Sequence, residues 1–155
     1  QPIPLSAVIA AAGPYATAML PQQACTPACA PVSVWTWSGD SAFAAQGPFR
    51  RAAGMMEFFT RSLGPLPYPT LAHVEATIPT AVVSGASVIL YAESGYADST
   101  LDEAVVARET ARQWLRPGAP DSAAEYLATL WRSSAEGKAT KPPDLAPVRD
   151  FLRSP

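Results

Sequence analysis

The chain is 155 residues long, 48% hydrophobic and only 15% charged, with a formal net charge of −2. That length holds about one domain, and no apolar run approaches the roughly 20 residues that a membrane-crossing helix needs. The slight acidity gives no electrostatic ground for a nucleic-acid partner. A charge fraction well under the roughly 25% of soluble domains instead suits a subunit that buries surface against protein neighbours.

Seventeen prolines point to long ordered loops and extended arms. The first residue is Gln1, as export and processing would leave it. Cys25 and Cys29 sit in Cys-Thr-Pro-Ala-Cys, which lacks both the spacing of a redox pair and the further ligands of a metal site. The reading is a small structural disulfide, which fits a periplasmic or otherwise exported location.

In chain order, the N-terminal quarter reads as β structure with turns, a strand pair in which Pro4 to Ala11 is a short apolar stretch closed by the turn signal Gly13-Pro14. Val32, Val34 and Thr36 alternate and run into Gly39-Asp40, which predicts a strand and a turn. Trp35 and Trp37 fall together on the other side of that strand, as core residues or as an interface. From Pro48 the period becomes helical through Phe49, Ala52, Ala53, Met56 and Phe59, and Gly64-Pro65 ends it. Two more strands are expected over Leu71 to Ile78 and Ser87 to Tyr91; the single histidine, His73, reads there as a packing residue.

Thr100-Leu-Asp-Glu103 has the form of a capping box, and the helix it opens runs to Leu115 before Pro117-Gly118. A second box, Ser122-Ala-Ala-Glu125, opens a helix through Leu127, Leu130 and Trp131 to Gly137. Beyond lies a proline-punctuated arm whose Phe151 and Leu152 need apolar cover, and so read as interface residues. The organisation expected is a β segment over 1–45, an α+β lobe over 46–137 and an extended arm over 138–155.

The run from Phe58 through Gly64-Pro-Leu-Pro-Tyr-Pro-Thr-Leu71 resembles a helix-to-strand passage of aminopeptidase N-like zinc metallopeptidases. Val105-Val-Ala-Arg108-Glu109-Thr-Ala-Arg112-Gln-Trp114 resembles the family's helix bearing His-Glu-x-x-His, and Ala124 to Trp131 the helix bearing its third zinc ligand. The resemblance implies an α+β fold like the upper lobe of thermolysin-like peptidases, a small sheet packed on two main helices. It also places Arg108 and Arg112 at the two histidine positions, Asp121 at the third-ligand position and Glu109 at the general-base position. Guanidinium stays protonated and offers no lone pair, so neither arginine can ligate zinc. Ala81-Val-Val-Ser84-Gly85 stands where the family's substrate-anchoring Gly-x-Met-Glu-Asn belongs, and the oxyanion-supporting tyrosine is expected to be missing.

The expectation is therefore a protein that is not an enzyme and holds no metal or cofactor. At least one of the two arginines should pair with a carboxylate among Glu93, Glu109, Asp121 and Glu125. Its function is read as that of a structural or interaction subunit of a larger exported or membrane-associated assembly, a bacterial photosynthetic reaction-centre complex being one candidate. Two alternatives stay open, a peptide-binding module using the inherited cleft and a residual hydrolase using Glu109.

Overall fold

The computed structural model describes residues 10–20, 28–116 and 118–137. Five strands form one mixed sheet: β1 (Tyr15–Met19), β2 (Val32–Trp37), β3 (Leu71–Ala76), β4 (Val82–Ser84) and β5 (Val88–Ala92). Their order across the sheet is β1-β2-β3-β5-β4. β2, β3 and β5 run parallel, and antiparallel β1 and β4 form the two edges. This is the α+β class expected from the sequence. The strand β2 of the N-terminal segment is hydrogen-bonded directly to β3 of the lobe, so the two share a single sheet.

Alternation sorts the side chains between the two faces of the sheet. Val32 and Val34 of β2, Leu71 of β3, and Ile89 and Tyr91 of β5 point inward and are buried beneath the helices. Val74, Ala76 and Leu90 lie on the outer face and form a smaller apolar cluster with Tyr15 and Val88 around them. The inner face carries α2 (Ala52–Leu63), α4 (Glu103–Arg112) and α5 (Asp121–Ala135). Met55, Met56, Phe59 and Leu63 of α2 are wholly buried there, each worth about 1.5–3 kcal/mol of burial. Gly64 ends α2 at φ 86°, a conformation that favours glycine, and its carbonyl accepts Trp114 Nε1–H at 2.8 Å. That bond fixes the end of α4 to the end of α2.

Three local expectations are corrected. The cap of α4 is Asp102, whose carboxylate accepts the Val105 N–H at 2.8 Å, so Thr100 plays no part in it. α5 starts at Asp121 behind Pro120, and Ser122 lies inside the helix rather than capping it. The region from Gly47 to Arg51 is a series of turns, so α2 begins at Ala52 and not at Pro48. Two short helices, α1 (Ser41–Gln46) and α3 (Glu93–Ala97), were not expected, nor was the edge strand β4. The N-terminal strand pair is present as β1 and β2, with β1 after Gly13-Pro14, and most of the stretch from Pro4 to Ala11 lies outside the described residues.

Candidate functional site

α4 carries the residues that the sequence singled out, on the face turned toward β4 and the start of α5. Helical spacing sets Arg108 and Glu109 one turn from Arg112. Glu109 is 2% exposed, and both its oxygens are engaged. Oε1 accepts from Arg108 Nε at 2.8 Å, while Oε2 accepts from Arg112 Nε at 3.0 Å and from the Ser84 hydroxyl at 2.6 Å. Arg112 reaches further and donates through Nη1 to Asp121 Oδ1 at 2.8 Å. The cluster thus ties α4 to the edge strand β4 on one side and to the first turn of α5 on the other.

Its electrostatics follow from that contact set. Burial works against the charge of Arg112, but its hydrogen bond to Asp121 and the carboxylate of Glu109 outweigh this and hold its proton more firmly than usual. The same guanidinium pulls Asp121 below the ordinary carboxylate range. Burial, with the charge of Glu109 added, pushes the Tyr91 hydroxyl well above its usual value. Beneath, Tyr91 is hydrogen-bonded to His73 Nδ1 at 3.0 Å. His73 is fully buried, as a packing residue should be, and burial lowers its pKa to about 3, so it is neutral.

These residues do not fit a zinc ion. Arg108 and Arg112 have no lone pair to give, and two positive charges repel a divalent cation. The carboxylate between them spends both oxygens on three donors. Among the described residues no three His, Cys, Asp or Glu side chains converge as ligands would.

Of the expected carboxylate partners, Glu109 and Asp121 pair with the arginines. Glu93 and Glu125 do not: Glu93 accepts from Thr77 Oγ1 at 2.9 Å, and the side chain of Glu125 is exposed at the surface of α5. Trp35 and Trp37 share the outer face of β2 as predicted. Tyr15 of β1, opposite Trp37 in register, stacks on it at 4.8 Å and meets Trp35 edge-on at 6.2 Å. A Cβ on Gly13 would lie 2.4 Å from the Trp37 ring, so only glycine lets the chain pass there. Trp35 is 38% exposed and Met19 63%, which leaves an aromatic and apolar ridge open on the outer face of β1 and β2. Cys29 is half-buried and disulfide-bonded; Cys25, Phe151 and Leu152 lie outside the described residues.

Sequence reasoning missed Glu75, which turns inward from β3 and is 1% exposed. It accepts the Trp37 N–H at 2.9 Å, and burial, helped by Asp40 and Glu93 nearby and opposed by that hydrogen bond, raises its pKa to about 7. The alternation of β3 put Glu75 on the same face as Leu71 and His73, and that was its one signal.

No protein-family model and no curated protein matches the chain. The fold does match solved structures. An M1 zinc metallopeptidase from Deinococcus radiodurans superposes with a TM-score of 0.58 at 18% identity, over 90% of this chain and 32% of that one. A mutant of it bound to a Tyr-Ser-Ala substrate gives 0.59 and 18%, over 82% and 30%. At such identity the likeness is one of fold, and this chain spans about a third of the length of those it matches. The expectation that the chain is not an enzyme is corrected here. The solved structures it matches are of a zinc metallopeptidase, so the fold supplies no ground for excluding enzymatic activity. The relatives give the reaction-centre association no support.

Proposed function

We propose that this metallopeptidase-like chain serves as an interaction subunit of a larger protein assembly, exported or membrane-associated, docking through the outer face of β1 and β2. One observation carries the reading. Tyr15, Trp35, Trp37 and Met19 form an ordered aromatic ridge in which Trp35 and Met19 are solvent-exposed. Tryptophan and tyrosine held rigid at an exposed position are the anchors that protein interfaces favour, because they bring large apolar area at little entropic cost. The low charge fraction agrees with it. No helix among the described residues is long and apolar enough to cross a membrane. The test is a photo-crosslinker placed at Met19 in the native source. A single stoichiometric protein adduct is expected, and the chain migrating at its own mass with no adduct would overturn the proposal.

A second reading, peptide binding, rests on a different feature. β4 is an edge strand, and Ser84 on it touches the Glu109 cluster. An extended peptide can add to such an edge through backbone hydrogen bonds, and the half-exposed Arg108 and Arg112 beside it would attract a carboxylate. Perturbation of the Val82–Ser84 amide resonances by short peptides would support it, and unchanged spectra would refute it.

A further inference from the structure

A concave feature lies on the helical side of the molecule. It is a cavity of about 420 Å³ between α2 and α5. Three guanidinium-bearing residues, Arg50, Arg51 and Arg61, line it with Phe58, Trp131 and Ser134. No carboxylate is among its described lining residues, although the whole chain is net negative.

The arginines are held in different ways. Arg51 is pinned: its guanidinium pairs with Glu103 and lies over the Trp131 ring, 5.0 Å from the centroid. Arg61 pairs with Glu57 one turn back at 2.8 Å and is largely exposed. Arg50 is exposed and makes no ion pair among the described residues. One wall is left low by Gly54, where an added Cβ would meet nothing within 4 Å. A glycine inside a helix is less favourable than alanine, so the open space it leaves comes at a cost to the helix.

We propose that this cavity binds a small organic anion, an oxyanion head of carboxylate or phosphate chemistry carried on an apolar body. Arg50, which makes no ion pair among the described residues, takes the head, while Arg51 and Arg61, their charges balanced by Glu103 and Glu57, frame the site. Phe58 and Trp131 give the body an apolar wall, the usual division of labour in a small-molecule site.

Calorimetric titration of the whole chain with phenyl phosphate, phenylacetate and neutral benzyl alcohol tests this. Saturable binding of at least one anion is expected, with benzyl alcohol weaker by about tenfold or more; which anion binds better identifies the head. Arg50→Ala should weaken binding about tenfold, since it removes a charge-assisted pair. Arg116→Ala, an exposed site outside the cavity with the same change of charge, should leave it unaltered. Gly54→Leu keeps the helix, improves its propensity and fills the cavity, so it should abolish binding in a folded protein. Equal binding of the neutral alcohol, affinity unmoved by Arg50→Ala or Gly54→Leu, or no binding of either anion would each overturn the site.

Discussion

At the scale of single residues, Glu109 shows what a buried carboxylate needs when two arginines flank it on one helix. A carboxylate with a 3% exposed side chain needs compensation from every direction, and it receives two guanidiniums and a hydroxyl. Each arginine is itself about a third exposed, so water screens part of the attraction. Arg112→Ala is expected to destabilise the fold by about 1–3 kcal/mol, above the 0–1 kcal/mol of an exposed pair, because it strips Glu109 of one cation and frees Asp121. Arg108→Ala should cost less, having no second carboxylate to release. Urea denaturation of both variants, of Glu109→Gln and of Arg112→Ala/Glu109→Gln measures this, and additive losses in the double variant would show that the pair is not coupled. The same chemistry predicts that zinc does not survive dialysis, and elemental analysis finding about one zinc per chain would contradict it. Arg108, Glu109, Arg112 and Asp121 were legible in the sequence through the resemblance that singled them out, and helical spacing then sets the first three within one turn. Ser84 was not, since its contact with Glu109 spans 25 residues and depends on where β4 lies.

Among the elements, those with long periodic patterns were the readable ones. α2, α4 and α5 each repeat their apolar positions over ten or more residues, and β2, β3 and β5 alternate. β4 has three residues and α3 five, too few to set any period, and their conformations are fixed by the sheet edge and by the chain's exit from β5. The caps misled because Thr100 and Asp102 are both good cap types, and only the position of the helix start decides between them. Element-level packing also creates a pH response. β3 carries Glu75 beneath the start of α1, beside Asp40, with a folded pKa of about 7 against an ordinary 4.5. The folded protein therefore binds the Glu75 proton more tightly than the unfolded chain, so this group's contribution falls as pH rises from about 4.5 to about 7 and is constant above that. His73 acts in the opposite sense: kept neutral by burial down to about pH 3, it lowers stability as pH falls below its ordinary 6.5. Glu75→Gln isolates the first effect, since the amide oxygen can still accept the Trp37 N–H. The variant should gain thermal stability over the parent at pH 8 and lose that advantage near pH 4.5. An equal difference in melting temperature at both pH values would refute the assignment.

At the scale of the whole molecule, the fold matches about a third of a metallopeptidase chain, and the surface that matters is the one the fold leaves uncovered. The helical side closes over a continuous core, whereas the outer face of the sheet has only a small cluster of its own and then the ridge of Tyr15, Trp35, Trp37 and Met19. Fold stability and assembly should therefore separate when that ridge is changed. Trp35 points away from the core, and its indole N–H is satisfied locally by Ser33 Oγ at 2.9 Å, so no buried partner is orphaned by its loss. Trp35→Ser and Met19→Ser together are expected to cost the isolated chain less than about 1–2 kcal/mol, as substitutions at exposed positions do. In the native source the same pair of changes should release the chain from its assembly, because a truncated interface anchor costs about 2 kcal/mol or more of binding. Sucrose-gradient sedimentation of extracts, set beside thermal melting of the purified variant, reads both quantities. A variant that melts like the parent but sediments as free chain is the expected result. If it stays in the heavy fractions, the ridge is not the docking surface; if it unfolds, Trp35 belongs to the core and the outer face is closed in a way its exposure does not reveal.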